Sequence, residues 1–468
     1  PRRQEIVQGL GGDDRSLFQE MCQDCRQRHR DRMVLKTEKM SKILISFIGT
    51  GNLLPDGRAQ RDYRKALYKL GDEEVETSFV AYALKQFVKP DKLFLIGTPH
   101  SMWEEVYRSF CDHPDDNVWA ELGEWCEKAN KDTPAEIMPH KGDIEAAIGK
   151  GSKIFPIRYG INEAQIQENI DIILGLRAYL EDGDEIVVDI THSFRSLPLL
   201  IMQLILYLKQ INSPKVTVSH VYYGMLDIIR DLHYAPVVDI SSMIRLSDWI
   251  TGAFAFKLNG SSAQATKLLK EEKGGMSAAT LLGKFSNVLS LNDMGQLQQQ
   301  VQELSGIKYP SEMARLALEP TVTDFIRRFK NLSPSEFQYK LAAWHFANGN
   351  YLAAYNDMVE CIITKACEET PGFDWLNIKD RESVRNAYKA KDNIKPDDTS
   401  KLYFSSGLVE IYRLINPTRN YLVHLSKGSG SKASAANTSA TAKINILKKA
   451  IADMKSEIGL HAKQPYAL

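Results

Sequence analysis

What the chain lacks narrows its character first. Cysteine is sparse, 6 in 468 residues, and the six form no even, regularly spaced framework, which predicts a reducing, cytoplasmic setting without structural disulfides. No apolar run approaches the roughly 20 residues that span a bilayer, and the first residues carry no apolar stretch of the signal-peptide kind, so no membrane association is expected. Net charge is absent too, with 59 basic side chains against 59 acidic ones. A polyanion finds no global field in such a chain, and any nucleic-acid site must be local. Solenoid-type repeats are missing. The length exceeds one ordinary domain and suits two or three.

Three zones follow from the patterning. Residues 1–39 read as a polar extension with a basic stretch at Arg26, Arg28, Arg30 and Arg32. Cys22, Cys25 and His29 within it resemble half a zinc site, but no second ligand pair follows at a suitable spacing, so no metal is expected. Residues 40–240 alternate short apolar runs with helical stretches: 43–48, 93–96, 153–157, 185–190 and 216–221 read as strands, and Tyr63 to Val88 as helical. Strands buried on both faces and joined by crossover helices predict an α/β domain with a Rossmann-like, doubly wound, mostly parallel sheet, ending near Asp239. From 241 to 468 the strand-like runs vanish and an all-α domain is expected, with helices over 277–291, 323–329, 334–348, 351–369 and 444–458. Lys427 to Ala442, built almost wholly from small and polar residues, reads as a mobile loop.

Open parallel sheets bind ligands beyond the carboxyl edges of their strands, so the loops there are the first candidates. One is Gly49-Thr50-Gly51-Asn52, whose glycines let backbone N–H groups approach an anion. The third glycine of a dinucleotide fingerprint is missing, Leu54 standing in its place, which disfavours a nicotinamide enzyme. The second loop carries Thr98, His100 and Ser101. The third runs Asp189-Ile190-Thr191-His192-Ser193-Phe194-Arg195. Capping alone explains Ser, Thr and Asp at such junctions; His192 and Arg195 exceed what capping requires, whereas Asp189 suffices as a brace for the loop.

The pairing of Gly49-Thr50-Gly51-Asn52 with Asp189 to Pro198 resembles the CARF sensor domains of CRISPR-associated accessory proteins, over roughly residues 41–239. That resemblance implies a cyclic oligoadenylate ligand, bound across the twofold axis of a homodimer by Gly49, Thr50, Gly51, Asn52, Thr191, His192, Ser193 and Arg195. Many relatives carry glycine where this chain has Ser193. By the same analogy the cyclic tetra-adenylate is favoured over the hexa-adenylate as activator.

The helical zone holds Arg419-Asn420-Tyr421-Leu422-Val423-His424. Asn416 is expected to cap a short helix and Pro417 to occupy its first turn. Five residues turn Arg419 and His424 roughly 140° apart, so one helix does not align them on a narrow stripe, whereas two helices in a symmetric dimer can converge both pairs on a groove. The Arg-x4-His pattern resembles HEPN-domain ribonucleases, and the whole resembles the CARF–HEPN ribonucleases of type III CRISPR systems. This implies a cytoplasmic homodimer or higher oligomer acting on single-stranded RNA in antiviral defence, without cofactor or metal. The RNA 2′-hydroxyl attacks the adjacent phosphate, His424 exchanges protons, Arg419 stabilises phosphate charge and Asn420 orients one of them. Trp344, Phe346, Tyr351 and Tyr355 are candidates for base stacking, although helical spacing favours a core role. Two competing readings are a non-catalytic, ligand-responsive regulator and a sensor that degrades its own ligand through the hydroxyls of Thr50, Thr191 and Ser193.

Overall fold

The computed structural model describes residues 40–53, 61–62, 65–192, 197–211, 213–389, 402–403, 405–424 and 438–459. Two compact units divide the chain, residues 1–243 and 244–468. The expected extension at 1–39, with Cys22, Cys25 and His29, lies outside the described residues, as do Ser193, Phe194, Arg195 and residues 427–437 of the expected loop.

In chain order the first unit comprises β1 (Lys42–Phe47), β2 (Asn52–Leu53), β3 (Arg61–Asp62), β4 (Ala66–Leu70), β5 (Glu73–Thr77), α1 (Val80–Val88), β6 (Lys92–Gly97), α2 (Trp103–Phe110), α3 (Asp116–Lys128), α4 (Lys141–Ile148), β7 (Lys153–Pro156), α5 (Glu163–Gly175), β8 (Glu185–Asp189), α6 (Leu197–Ile211), β9 (Thr217–Gly224), α7 (Ile229–Leu232) and β10 (Ala235–Asp239). Eight strands form one sheet in the order β5-β4-β10-β9-β8-β1-β6-β7, parallel except for the β10–β9 and β4–β5 pairs. The centre is occupied by β1, β6 and β8 because their runs of Ile, Leu, Val and Phe are almost fully buried on both faces. From β1 the chain builds outward through β6 and β7, then returns to place β8 on the other flank of β1. The strand order thus reverses between β1 and β8, where such sheets open a crevice.

One helical expectation fails. Residues 66–77 within the stretch read as helical form the β4–β5 hairpin, and a helix begins only at Val80. Leu70 pairs with Glu73 across a Gly71-Asp72 turn, and Gly71 sits at φ +60°, which glycine adopts without cost and which breaks a right-handed helix.

The second unit contains α8 (Ser242–Asn259), α9 (Ala263–Glu271), α10 (Met276–Ser290), α11 (Met294–Leu304), α12 (Glu312–Phe329), α13 (Pro334–Ala347), α14 (Tyr351–Glu369), α15 (Ile378–Lys389), α16 (Ser406–His424) and α17 (Ala440–Glu457). It has two apolar clusters, one from Trp249 to Trp344 and one from Tyr339 to Ile458. Helix α13 feeds both, which is why Phe337, Tyr339, Leu341, Ala342 and Trp344 are all buried. Trp344 and Tyr355 belong to these cores, while Phe346 and Tyr351 pack partly buried against the second.

The motif helix also differs from expectation. Asn416 does not cap it, and Pro417 lies inside α16, which begins ten residues earlier at Ser406. Interior proline costs about 3 kcal/mol, but Leu408, Val409, Ile411, Tyr412 and Ile415 are buried along this helix. At about 1.5–3 kcal/mol per large apolar side chain, their burial outweighs that cost.

Candidate ligand and nuclease sites

At the β1/β8 crevice, the loops expected to meet do meet. Asp189 ends β8 fully buried, accepting hydrogen bonds from Ser46 Oγ at 2.5 Å, from Thr191 Oγ1 at 2.5 Å and from Thr191 N at 3.0 Å. Burial nevertheless pushes its carboxyl up to about 6, the three donors offsetting only part of the desolvation. Thr191 Oγ1 in turn accepts from Gly224 N at 2.7 Å. Asp189 and Thr191 thereby lock the β8 exit to its neighbouring strands, and the Thr191 hydroxyl is committed to that lock.

The second loop braces the first. Ser101 Oγ donates to the Ile48 carbonyl at 2.9 Å, and Met102 N donates to the Gly49 carbonyl at 3.0 Å. Thr98 N donates to Ser101 Oγ, and both side chains are buried. His100 turns toward α3, its Nδ1 donating to the Cys126 carbonyl at 2.8 Å. Thr98, His100 and Ser101 therefore shape the crevice from behind. Gly49, Thr50 and Gly51 border it, Gly51 at φ +71°; Asn52 starts β2, which pairs with β3.

His192 is the group that structural roles do not consume. Its Nε2 is enclosed without a hydrogen-bond partner, and burial pushes the imidazole down to about 4, so it is neutral near pH 7. A Cβ at position 49 would stand 3.5 Å from the His192 Cβ, so the two loops touch at this point.

In the helical unit, α16 presents the motif. Arg419, whose side chain is 24% exposed, donates from Nε to Asn356 Oδ1 at 3.0 Å and from Nη1 to Asn420 Oδ1 at 3.1 Å. Its Nη2 lies 3.7 Å from Glu360 Oε1. Glu360 also receives Arg381 Nη2 at 2.5 Å and Arg385 Nη2 at 2.9 Å. One carboxylate thus faces three guanidinium groups, an arrangement with spare positive charge for a phosphate. His424 is exposed at the last residue of the helix. Sequence reading missed Asn356, Glu360, Arg381 and Arg385. The available signal was their spacing: 356 and 360, like 381 and 385, are four apart and share a helix face.

Comparison with known proteins bears on both units. Residues 43–227 match the family described as the CARF domain of the CRISPR system endoribonuclease Csx1. The sheet unit is thus similar to a CARF domain over those residues. Residues 245–336, which carry most of the first helical core, match the second domain of CRISPR-associated protein MJ1674. The chain is 32% identical over 408 residues to CRISPR-associated protein MJ1674 of Methanocaldococcus jannaschii, an alignment covering 82% of this chain and 62% of that protein. The chain therefore spans less than two thirds of that relative's length. A structure of Enterococcus italicus Csm6 bound to cyclic hexa-2′-fluoro-hexa-dAMP aligns over 89% of this chain and 95% of that one at 12% identity, with a TM-score of 0.30, too low to carry an argument. No group of three His, Cys, Asp or Glu gathers as a metal site among the described residues, and no described helix is long and apolar enough to cross a membrane.

Proposed function

We propose that this protein is an endoribonuclease that cuts single-stranded RNA and is switched on when a cyclic oligoadenylate, favoured here as the tetra-adenylate, binds its CARF domain. The observation that carries the reading is Arg419, set by Asn356 and Glu360 on the same helix as an exposed His424, in a chain whose sheet unit matches the CARF family over residues 43–227. The helical partner unit is read as a HEPN domain acting as a symmetric dimer in the cytoplasm.

In the proposed reaction the 2′-oxygen of one nucleotide attacks its 3′-phosphorus while the bond to the 5′-oxygen breaks. One imidazole takes the 2′-hydroxyl proton, and the His424 of the other copy delivers a proton to the leaving 5′-oxygen. The products are a 2′,3′-cyclic phosphate and a 5′-hydroxyl end. Arg419 stabilises the charge that builds on the non-bridging oxygens. Activation requires the ligand to bind the cutting arrangement more tightly than the resting one, since equal affinity shifts no equilibrium.

The test is incubation of the full chain with labelled single-stranded RNA and each cyclic oligoadenylate. The expected result is cleavage stimulated by the ligand and abolished by His424→Ala with ligand binding retained. Ligand binding without any cleavage removes the enzyme and favours the non-catalytic regulator.

A further inference from the structure

The helical unit holds a second feature that the Arg419 cluster does not use, an open trough of about 1240 Å³ walled by the α8–α9 junction, α10, the start of α11 and the α13–α14 turn. Small-molecule pockets run to about 300–1,000 Å³ and are mainly apolar-lined. This one is larger, and Val288, Leu289 and Leu291 are its only large apolar side chains. Amides, hydroxyls and three lysines stand in the rest of the wall among small residues, with Glu271, Asp293 and His345.

Two kinds of group stand out. Lys267 and Lys270 lie three residues apart on α9, both exposed, and neither forms an ion pair within 4 Å with a described residue. A third lysine, Lys284, is held by Glu303 at 3.3 Å. Of the acidic groups in the wall, Asp293 is engaged by its own helix, accepting from Gln296 N and Nε2, which leaves Glu271 on α9 itself, next to Lys270 and four residues from Lys267.

Then there are buried polar atoms without partners. His345 is 4% exposed. Asn350 Nδ2 lies 3.2 Å from its Nδ1; the amide donates, so Nδ1 accepts and the ring proton sits on Nε2. That Nε2 has no hydrogen-bond partner, standing 3.7 Å from Asp357 Oδ2. Asn292 donates to Asp357 Oδ1 at 2.7 Å, yet its own Oδ1 is unpartnered as well. Leaving such atoms unsatisfied costs about 1–3 kcal/mol each. A wall with free donors and acceptors beside two unpaired lysines suits a strand that offers base edges and phosphates together.

We propose that this trough binds a segment of single-stranded polynucleotide, with Lys267 and Lys270 on its phosphates and Asn292 and His345 toward its bases, as a track for the RNA that Arg419 and His424 cut. No Phe, Tyr or Trp lines the trough, so recognition runs through charge and hydrogen bonding rather than stacking. The proposal rests on the ribonuclease reading for its purpose but not for its binding chemistry.

The experiment measures fluorescence anisotropy of a labelled 2′-O-methyl oligonucleotide, which cannot be cut, against the full chain over a range of salt concentrations. Each single-strand phosphate contact contributes about 0.7 to the slope of log affinity against log salt, so Lys267→Ala/Lys270→Ala is expected to flatten that slope by about 1.4. Lys308→Ala/Lys330→Ala, two exposed lysines outside the trough, is expected to leave it unchanged. With cleavable RNA, the trough variant should raise KM while kcat at saturation is kept. An unaltered slope in the trough variant overturns the proposal, as does an equal loss in the control. Wild-type protein that binds with the steep slope yet never cuts RNA supports the trough and removes the ribonuclease reading instead.

Discussion

Arg419 and Asn356 join two helices through one hydrogen bond, Nε to Oδ1 at 3.0 Å, and this bond fixes which edge of the guanidinium is left to face a phosphate. Asn356 is thus a positioning residue. Arg419→Ala and His424→Ala are each expected to lower cleavage about a hundredfold to ten-thousandfold. Asn356→Ala should lower kcat by about tenfold to a hundredfold through a misaimed arginine, with KM little changed. Asn356→Asp keeps the acceptor and should restore most of the rate. Single-turnover kinetics on the four variants checks the order, and an Asn356→Ala enzyme as fast as wild type would falsify the positioning role.

Glu360 carries a different load. With three arginines around it, its removal leaves half-buried guanidinium groups without their shared acceptor. Glu360→Ala is expected to cost about 1–3 kcal/mol of stability, and Glu360→Gln less because one acceptor remains. Urea unfolding measures both. Equal stability of all three proteins would mean that solvent already satisfies the arginines.

The sheet was legible from sequence because β1, β6 and β8 are buried on both faces, so burial itself wrote continuous apolar runs. The hairpin at 66–77 was not legible as such, since Tyr68, Val75 and the helix after Phe79 blend into one apolar series unless Gly71 is read as a turn. The start of α16 was hidden for the opposite reason: Pro417 looks like a first-turn residue, and only the buried series from Leu408 to Ile415 shows that the helix is longer. At the candidate nuclease site, Arg419, Asn420 and His424 are contiguous enough to be noticed, whereas Asn356 and Glu360 lie some sixty residues away and become neighbours only through packing. The division of the helical unit into two cores is invisible to periodicity, which marks a helix's buried face but not its partner.

Gly97 closes β6 where there is no space for a side chain. A Cβ there would stand 2.7 Å from Trp103 Cζ2 and 2.8 Å from Ser101 Oγ, and Trp103 is fixed, fully buried, with Nε1 donating to the Thr98 carbonyl at 2.8 Å. Gly97→Ala is therefore expected to cost about 1–3 kcal/mol and to disturb the brace from Ser101 and Met102 to the β1 exit. Gly49→Ala meets only an ordinary contact with His192. It should fold normally while weakening ligand binding. Thermal unfolding and ligand titration separate the two, and the argument about Gly97 fails if its alanine variant melts with wild type.

His192 is expected to make ligand binding a proton-linked event. In the free protein burial holds the imidazole down to about 4, so between that pH and its ordinary 6.5 the native state binds no proton while the unfolded chain does. That contribution to stability is full above pH 6.5 and is lost as pH falls toward 4. Asp189 runs the other way: its carboxyl is raised to about 6, so its contribution is full below pH 3.8 and is lost as pH rises through 6. The two slopes oppose each other between about 4 and 6, and His192→Gln should uncover the Asp189 slope as a lower unfolding midpoint at pH 6 than at pH 4.5. An anionic ligand phosphate placed against His192 favours the charged ring and lifts its pKa back toward 6.5. Binding then takes up a proton, and affinity should rise as pH falls through 6.5, by up to about tenfold for each unit of pKa restored. Calorimetric titration at pH 5.5 in two buffers of different ionisation enthalpy reads the proton directly. Zero uptake, with His192→Gln binding as tightly as wild type, would show that the ligand never reaches this imidazole.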